Sequence, residues 1–205
     1  MNNCRYKNEA GRSMIEMLGV LAIIGVLSVG GIAGYSKAMN KFKTNQVADN
    51  VSMLVANIKT LYAQQKSYNG LDGASAVSMG VVPDELGTDG SALTNAFNGE
   101  VYIGAGKGTK DNDSFYIVFN GLSREACITL ATNDWGSSYS SGLVGMAASG
   151  SAASDADDSD LSIGCVLDGS GGKVCPGKMP MPVQEAAAAC ACNNGNTCSV
   201  MWKYY

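Results

Sequence analysis

The sequence predicts an α+β fold: a long N-terminal α-helix, apolar first and amphipathic after, packed on a C-terminal antiparallel β-sheet domain with short helices and disulfides. Three observations carry this. From Met17 to Ser36 no side chain is charged. The apolar period then continues at helical spacing, and no proline occurs before Pro83. The rest of the chain alternates β-branched and aromatic segments with turn signals, and it holds six cysteines.

The chain opens on a short polar leader, Met1 to Gly11, with Arg5 and Lys7 against Glu9. The stretch from Gly11 to Tyr35, G-R-S-M-I-E-M-L-G-V-L-A-I-I-G-V-L-S-V-G-G-I-A-G-Y, organises the rest of the chain. Twenty apolar residues in a helix span roughly 30 Å, the thickness of a bilayer core. An ordinary signal peptide has a shorter apolar region with a small-residue cleavage site behind it. Glu16 stands at the front edge of the run, and a carboxylate is expensive there, which marks it as functional. Gly30 and Gly34 form a G-x-x-x-G that permits close helix contact, a weak motif taken alone. Glycine lowers helix stability by roughly 1 kcal/mol relative to alanine, so Gly25 or Gly30–Gly31 is where the helix would loosen locally if it were stretched in an assembly.

Behind this run Val47, Val51, Leu54, Val55, Ile58, Leu61 and Tyr62 recur at spacings of three and four, one stripe of an amphipathic helix. One helix from near Ser13 to near Lys66 would be roughly 80 Å long. Its first half needs lipid or other helices on every side; its second half needs one partner, most simply a domain of the same chain. Lys37, Lys41 and Lys43 come after the apolar run, so loop charge alone does not orient the span.

Residues 68–99 read as a loop region with N-G, D-G and T-D-G turns, and with short helical pieces at Ala74–Met79 and Ala92–Phe97. Glu100–Ala105 and Ser114–Asn120 are β-rich and flank turn chemistry, which predicts a hairpin. Ser123 is the expected N-cap of a short helix carrying Ala126, Cys127 and Leu130 on one face. Gly136–Asp160 is rich in Gly, Ser and Ala and reads as an exposed insertion. Leu161–Leu167 is expected to be a strand holding Cys165, Gly169–Pro182 a loop holding Cys175, Val183–Ala191 a short helix, and Val200–Tyr205 a final strand.

Composition excludes several functions. The net charge is −4, and no lysine or arginine cluster lies outside the N-terminal third, so nucleic-acid binding has little support. Histidine is absent, which removes the commonest general base and rules out Ser-His-Asp and Cys-His sites. G-A-G-K-G-T lacks the four-residue gap of a phosphate-binding loop. Neither an enzyme nor a cofactor is expected. At 205 residues the chain suffices for an anchor and one domain, and its 26 glycines predict a loop-rich body.

Of the 7 cysteines, Cys4 lies in the leader. Cys127, Cys165, Cys175, Cys190, Cys192 and Cys198 form an even set behind an export segment, which reads as a disulfide framework in an oxidising compartment. Six cysteines allow 15 connectivities, and sequence does not choose among them. A zinc site from Cys175, Cys190, Cys192 and Cys198 is disfavoured by the C-x-C spacing and the compartment. Asp155, Asp157, Asp158 and Asp160 lack the glycine and glutamate of a calcium loop and read as a solvated acidic stretch.

G-R-S-M-I-E resembles the processing motif of the type IV pilin family, in which a prepilin peptidase cuts after the glycine. Counting from Arg12, the fifth residue is Glu16, the position of that family's glutamate. The resemblance is strong from Gly11 to about Lys66. The hairpin with a cysteine-bearing helix behind it resembles the larger pilins of conjugative and bundle-forming pili. The resemblance implies a pilin fold in three parts: a leader over 1–11, a transmembrane and assembly helix over 12–66, and a disulfide-stapled globular domain over 67–205. It implies a filament subunit cut between Gly11 and Arg12, N-methylated there, and assembled through Glu16. The implied partners are further copies of the chain, the peptidase, the inner membrane before assembly and the pilus assembly machinery. The implied location is the bacterial inner membrane as precursor, then an extracellular pilus or periplasmic filament. A minor pilin, a type II secretion pseudopilin and a non-assembling anchored binding domain are the alternatives.

Overall fold

The computed structural model describes residues 14–65, 67–89, 92–106, 110–136, 141–153, 173–174, 179–192 and 197–205. The expected strand at Leu161–Leu167 and the acidic stretch Asp155–Asp160 lie outside the described residues. Two compact units are defined, one up to Asn40 and one from Lys41 to Tyr205.

Helix α1 spans Met14–Leu61 as one α-helix. Between Met14 and Tyr35 its apolar side chains are exposed on all sides, as the absence of any polar face in this stretch requires. From Thr44 onward a single stripe is buried: Thr44, Val47, Asn50, Val51, Leu54 and Ile58. The helix stops at Leu61, earlier than its apolar period suggests. Tyr62 is buried, and its ring lies 5.2 Å from that of Tyr68. That contact needs the chain to reverse at once, through a turn closed by the Gln65 N–H on the Tyr62 carbonyl.

The second unit is built on a seven-stranded antiparallel sheet. Its strands are β1 (Gly87–Asp89), β2 (Ala92–Thr94), β3 (Glu100–Gly106), β4 (Ser114–Leu122), β5 (Leu143–Ser149), β6 (Lys173–Val174) and β7 (Cys198–Tyr204). The spatial order is β1-β2-β3-β4-β7-β5-β6, so the last strand of the chain sits inside the sheet between β4 and β5. β3 and β4 form the predicted hairpin, with Val101 opposite Phe119 and Ile103 opposite Ile117. Period-two alternation sends Phe115, Ile117 and Phe119 of β4 and Val200, Trp202 and Tyr204 of β7 into one core with the stripe of α1. Tyr116, Val118 and Met201 point to the opposite face. The chain after β5 crosses that face: Asn120 exchanges hydrogen bonds with Ala153 at 3.0 and 2.9 Å, and the Ser199 hydroxyl donates to Ser151 O.

Among the described residues, three short helices complete the unit: α2 (Gly73–Ser78), α3 (Arg124–Ala131) and α4 (Val183–Ala189). α2 and α3 start at the capping residues their sequences offer. Asp72 accepts from Ser75 N at 2.7 Å in a capping box, and Ser123 accepts from Ala126 N at 3.2 Å.

Several expectations are corrected. The loops expected over 68–99 and Gly169–Pro182 contain short strands: β1 pairs with β2, and β6 pairs with β5, which adds the outer strand at each edge of the sheet. Ala92–Phe97 is not helical. Leu93 is buried opposite Val101 on a strand, and the Asn95 carboxamide accepts from the backbone of Phe97 and Gly99, which turns the chain straight into β3. A Cβ at Gly99 would overlap the backbone carbonyl of Asn120, so the turn packs against β4 too closely for any side chain there. The stretch read as an exposed insertion, Gly136–Asp160, contains β5, whose Leu143, Val144 and Met146 are buried. Its small residues resemble a loop in composition, and its partner β7 lies about fifty residues downstream, beyond any local signal.

Candidate functional site

The first element of the site is the N-terminal half of α1. It is the one described helix long and apolar enough to cross a membrane. Leu18 and Leu27 are 63% and 69% exposed, which only lipid or other helices can accommodate. Glu16 lies in the first turn, exposed, where the helix dipole favours a carboxylate. Among the described residues it has no hydrogen-bond or ion-pair partner. Gly11 and Arg12, the expected cleavage pair, lie outside the described residues.

The second element is a sulfur cluster under α3, α4 and β7. Cys127 is bonded to Cys190 with Cα atoms 5.9 Å apart, which ties α3 to the end of α4. Cys192 is bonded to Cys198 with Cα atoms 5.4 Å apart, which ties the same segment to the first residue of β7. The sulfurs of Cys127, Cys190 and Cys198 lie within 4.8 Å of one another, all buried. Each is committed to a disulfide, so none is a thiolate that would ligate zinc. Cys165 and Cys175 lie outside the described residues.

A third contact holds α1 to the middle of the sheet, and the sequence gives little sign of it. The Lys59 ammonium donates to Ser141 O at 2.7 Å and stands 4.8 Å from the centre of the Tyr204 ring. Burial lowers the Lys59 pKa and raises that of Tyr204 well above its ordinary value. Lys59 interrupts no apolar period and reads as a solvated charge on the helix, so only the packed structure reveals the contact.

Cavities open on the described surface, two of them beside elements of the site. One, of about 500 Å³, is a notch beside β3 between the start of α2 and β2. Its carboxylates are already engaged: Asp72 caps α2, and Glu100 accepts from the Tyr102 hydroxyl. The other, of about 350 Å³, runs along α1 past Phe42, Asp49, Asn50 and Met53 to Glu85.

A membrane-length apolar helix that continues as the core helix of a disulfide-tied antiparallel sheet defines the class of type IV pilins. Residues 41–203 match the family model described as PilS N terminal. Over 135 residues the chain is 32% identical to the major structural subunit of bundle-forming pilus of Escherichia coli O127:H6 (strain E2348/69 / EPEC), covering 64% of this chain and 68% of that one. The corresponding subunit of Escherichia coli O111:H- matches to the same extent. The fold is similar to that of the type IV b pilin from Salmonella typhi, with a TM-score of 0.52, 20% identity, and coverage of 76% of this chain and 95% of that one. TcpA, a type IV pilin from Vibrio cholerae El Tor biotype, has a TM-score of 0.52 at 18% identity, with 80% and 99% covered. The chain belongs to the type IV pilin family, in the group that the PilS N-terminal model describes.

Proposed function

We propose that this protein is a structural subunit of a type IV pilus filament, processed after Gly11 and assembled through its N-terminal helix with Glu16. The observation that carries this is the apolar half of α1, exposed on all sides and joined to a unit with a hydrophobic core of its own. A plain anchor explains the exposure. It does not explain a carboxylate placed at the front edge of the apolar run. The relatives named as major structural subunits of a bundle-forming pilus support a non-enzymatic role and a principal rather than minor subunit.

In this reading residues 1–11 are a leader, 12–66 the membrane and assembly helix, and 67–205 the globular domain. The precursor rests in the bacterial inner membrane, the prepilin peptidase removes the leader, and the assembly machinery moves the subunit into an extracellular filament. Cys165 and Cys175, the cysteines left over, form a third disulfide. Cleavage gives Arg12 a free α-amine. A carboxylate at bilayer depth costs at least about 3 kcal/mol, and pairing with the N-terminus of a neighbouring subunit offsets that and sets the axial step.

Glu16→Ala is expected to give protein that is cleaved, membrane-inserted and disulfide-bonded, with surface filaments lost. Glu16→Gln is expected to behave alike, because it keeps the shape and removes the charge. Electron microscopy of the sheared surface fraction reads the outcome. Wild-type filament numbers from Glu16→Ala, expressed as the sole subunit, would refute the role given to this carboxylate.

A further inference from the structure

We infer that the groove along α1 between Phe42 and Met53 is where a second copy of this chain docks, through the corner of α3 and α4 that carries Arg124. The inference rests on the filament reading above. Phe42, Asp49 and Met53 are spaced seven and four residues apart and therefore share one face of the helix. Phe42 is 63% and Met53 48% exposed, although α1 here is already packed on its sheet through the other face. Asp49 and Glu85 bring two carboxylates to the same groove, and no lysine or arginine lines it. An acidic centre between two apolar ends suits a basic side chain with an apolar neighbour.

The groove also holds unfinished hydrogen bonding. Asn50 is 1% exposed, and its side-chain nitrogen has no acceptor. Buried amides are normally satisfied. A polar group brought by a partner completes this one after rotation about the broad terminal torsion of the side chain.

The complementary surface is on the same unit. Among the described residues outside α1, Lys110 and Arg124 are exposed cations. Lys110 sits in a turn with Asp111 and Asp113, and its backbone bonds the Asp113 carboxylate. Arg124 opens α3 and makes one long hydrogen bond, to Ala187 O at 3.4 Å, which lays it against α4. Val183, the first residue of α4, is 68% exposed. The Cys127–Cys190 disulfide clamps these two helices, so cation and apolar side chain are presented on a rigid corner. Groove and corner are different surfaces, so the contact is head-to-tail and propagates from copy to copy.

The test uses the full chain as the sole subunit in cells. Glu85→Arg and Arg124→Glu are each expected to lower filament number by about tenfold, as opposed charges become like charges at a contact. Subunit level and non-reducing gel mobility should remain unchanged. The two together should restore filaments. Asp49→Cys combined with Arg124→Cys should give a ladder of disulfide-linked oligomers from filaments, lost on reduction. Wild-type filament numbers from the single reversals, no rescue in the double reversal, or monomer alone from the cysteine pair would each overturn the docking while leaving the role of Glu16 standing. An absence of filaments from the wild-type chain would overturn both.

Discussion

At the scale of single residues, polar side chains fix local geometry that apolar periodicity leaves open. Asp72 is an example. Its carboxylate accepts from the Ser75 backbone, and that hydrogen bond, together with a weaker one from the Ser75 side chain, holds its pKa below the ordinary 3.8. A carboxylate with a depressed folded-state pKa contributes stability that is present above 3.8 and is lost as pH falls through the folded value. Asp72→Ala is therefore expected to destabilise the subunit by about 1 kcal/mol at neutral pH, the usual worth of an N-cap. The deficit should shrink as pH is lowered below 3.8, because the protonated carboxyl is the weaker acceptor. Thermal unfolding of both proteins in detergent across that range measures it; a deficit that does not change with pH would mean the carboxylate charge is not what caps α2. Asn95 acts similarly, making the turn where apolar spacing alone suggests a helix.

At the scale of elements, the disulfides do what short helices cannot do for themselves. α4 has seven residues, four of them alanine, and its cap Pro182 offers no side-chain hydrogen bond. Little apolar burial and no cap hold such a helix, so its position depends on the covalent tie from Cys190 to Cys127. The two bonds are unequal in what they constrain. Cys127–Cys190 closes a separation of 63 residues and Cys192–Cys198 one of 6. On loop-closure entropy the first contributes about 4 kcal/mol and the second about 2 kcal/mol. Replacing Cys127 and Cys190 together by serine should thus lower stability by roughly twice as much as replacing Cys192 and Cys198, as read by urea unfolding in detergent. Equal losses would show that native-state packing, rather than loop length, sets the worth of these bonds.

At the scale of the whole molecule, one helix serves two environments. Its first part exposes apolar residues on every side, and from Thr44 it buries a single stripe in the core of the second unit. The described hydrophobic core of that unit runs from Val47 to Tyr204. A chain beginning at Lys41 is accordingly expected to be soluble without detergent and cooperatively folded, with both described disulfides formed. Size-exclusion chromatography and circular dichroism melting of that chain decide it. Aggregation or a non-cooperative melt would show that residues 14–40 help to hold the fold as well as to anchor it.

The long helix and its change of character were legible in the residues alone, because the period of apolar side chains depends only on helix geometry and on which solvent each turn meets. So were the β3–β4 hairpin, the N-cap at Ser123 and the starts of α2 and α4 within a residue or two, since turn, cap and hairpin chemistry act over a few neighbours. The G-R-S-M-I-E resemblance pointed to the family. What depends on distant partners became visible only in the packed fold. β7 enters between β4 and β5 because its alternating Val200, Trp202 and Tyr204 complete the inner face that Phe115, Ile117 and Phe119 begin. β5 is a strand because β7 pairs with it, despite a loop-like composition. The pairing of Cys127 with Cys190, the Lys59 contact with Ser141 and Tyr204, and the unsatisfied Asn50 in its groove all arise from residues far apart in sequence. Nothing in local propensity encodes such contacts, because their free energy exists only once the sheet and the second half of α1 have closed on one core.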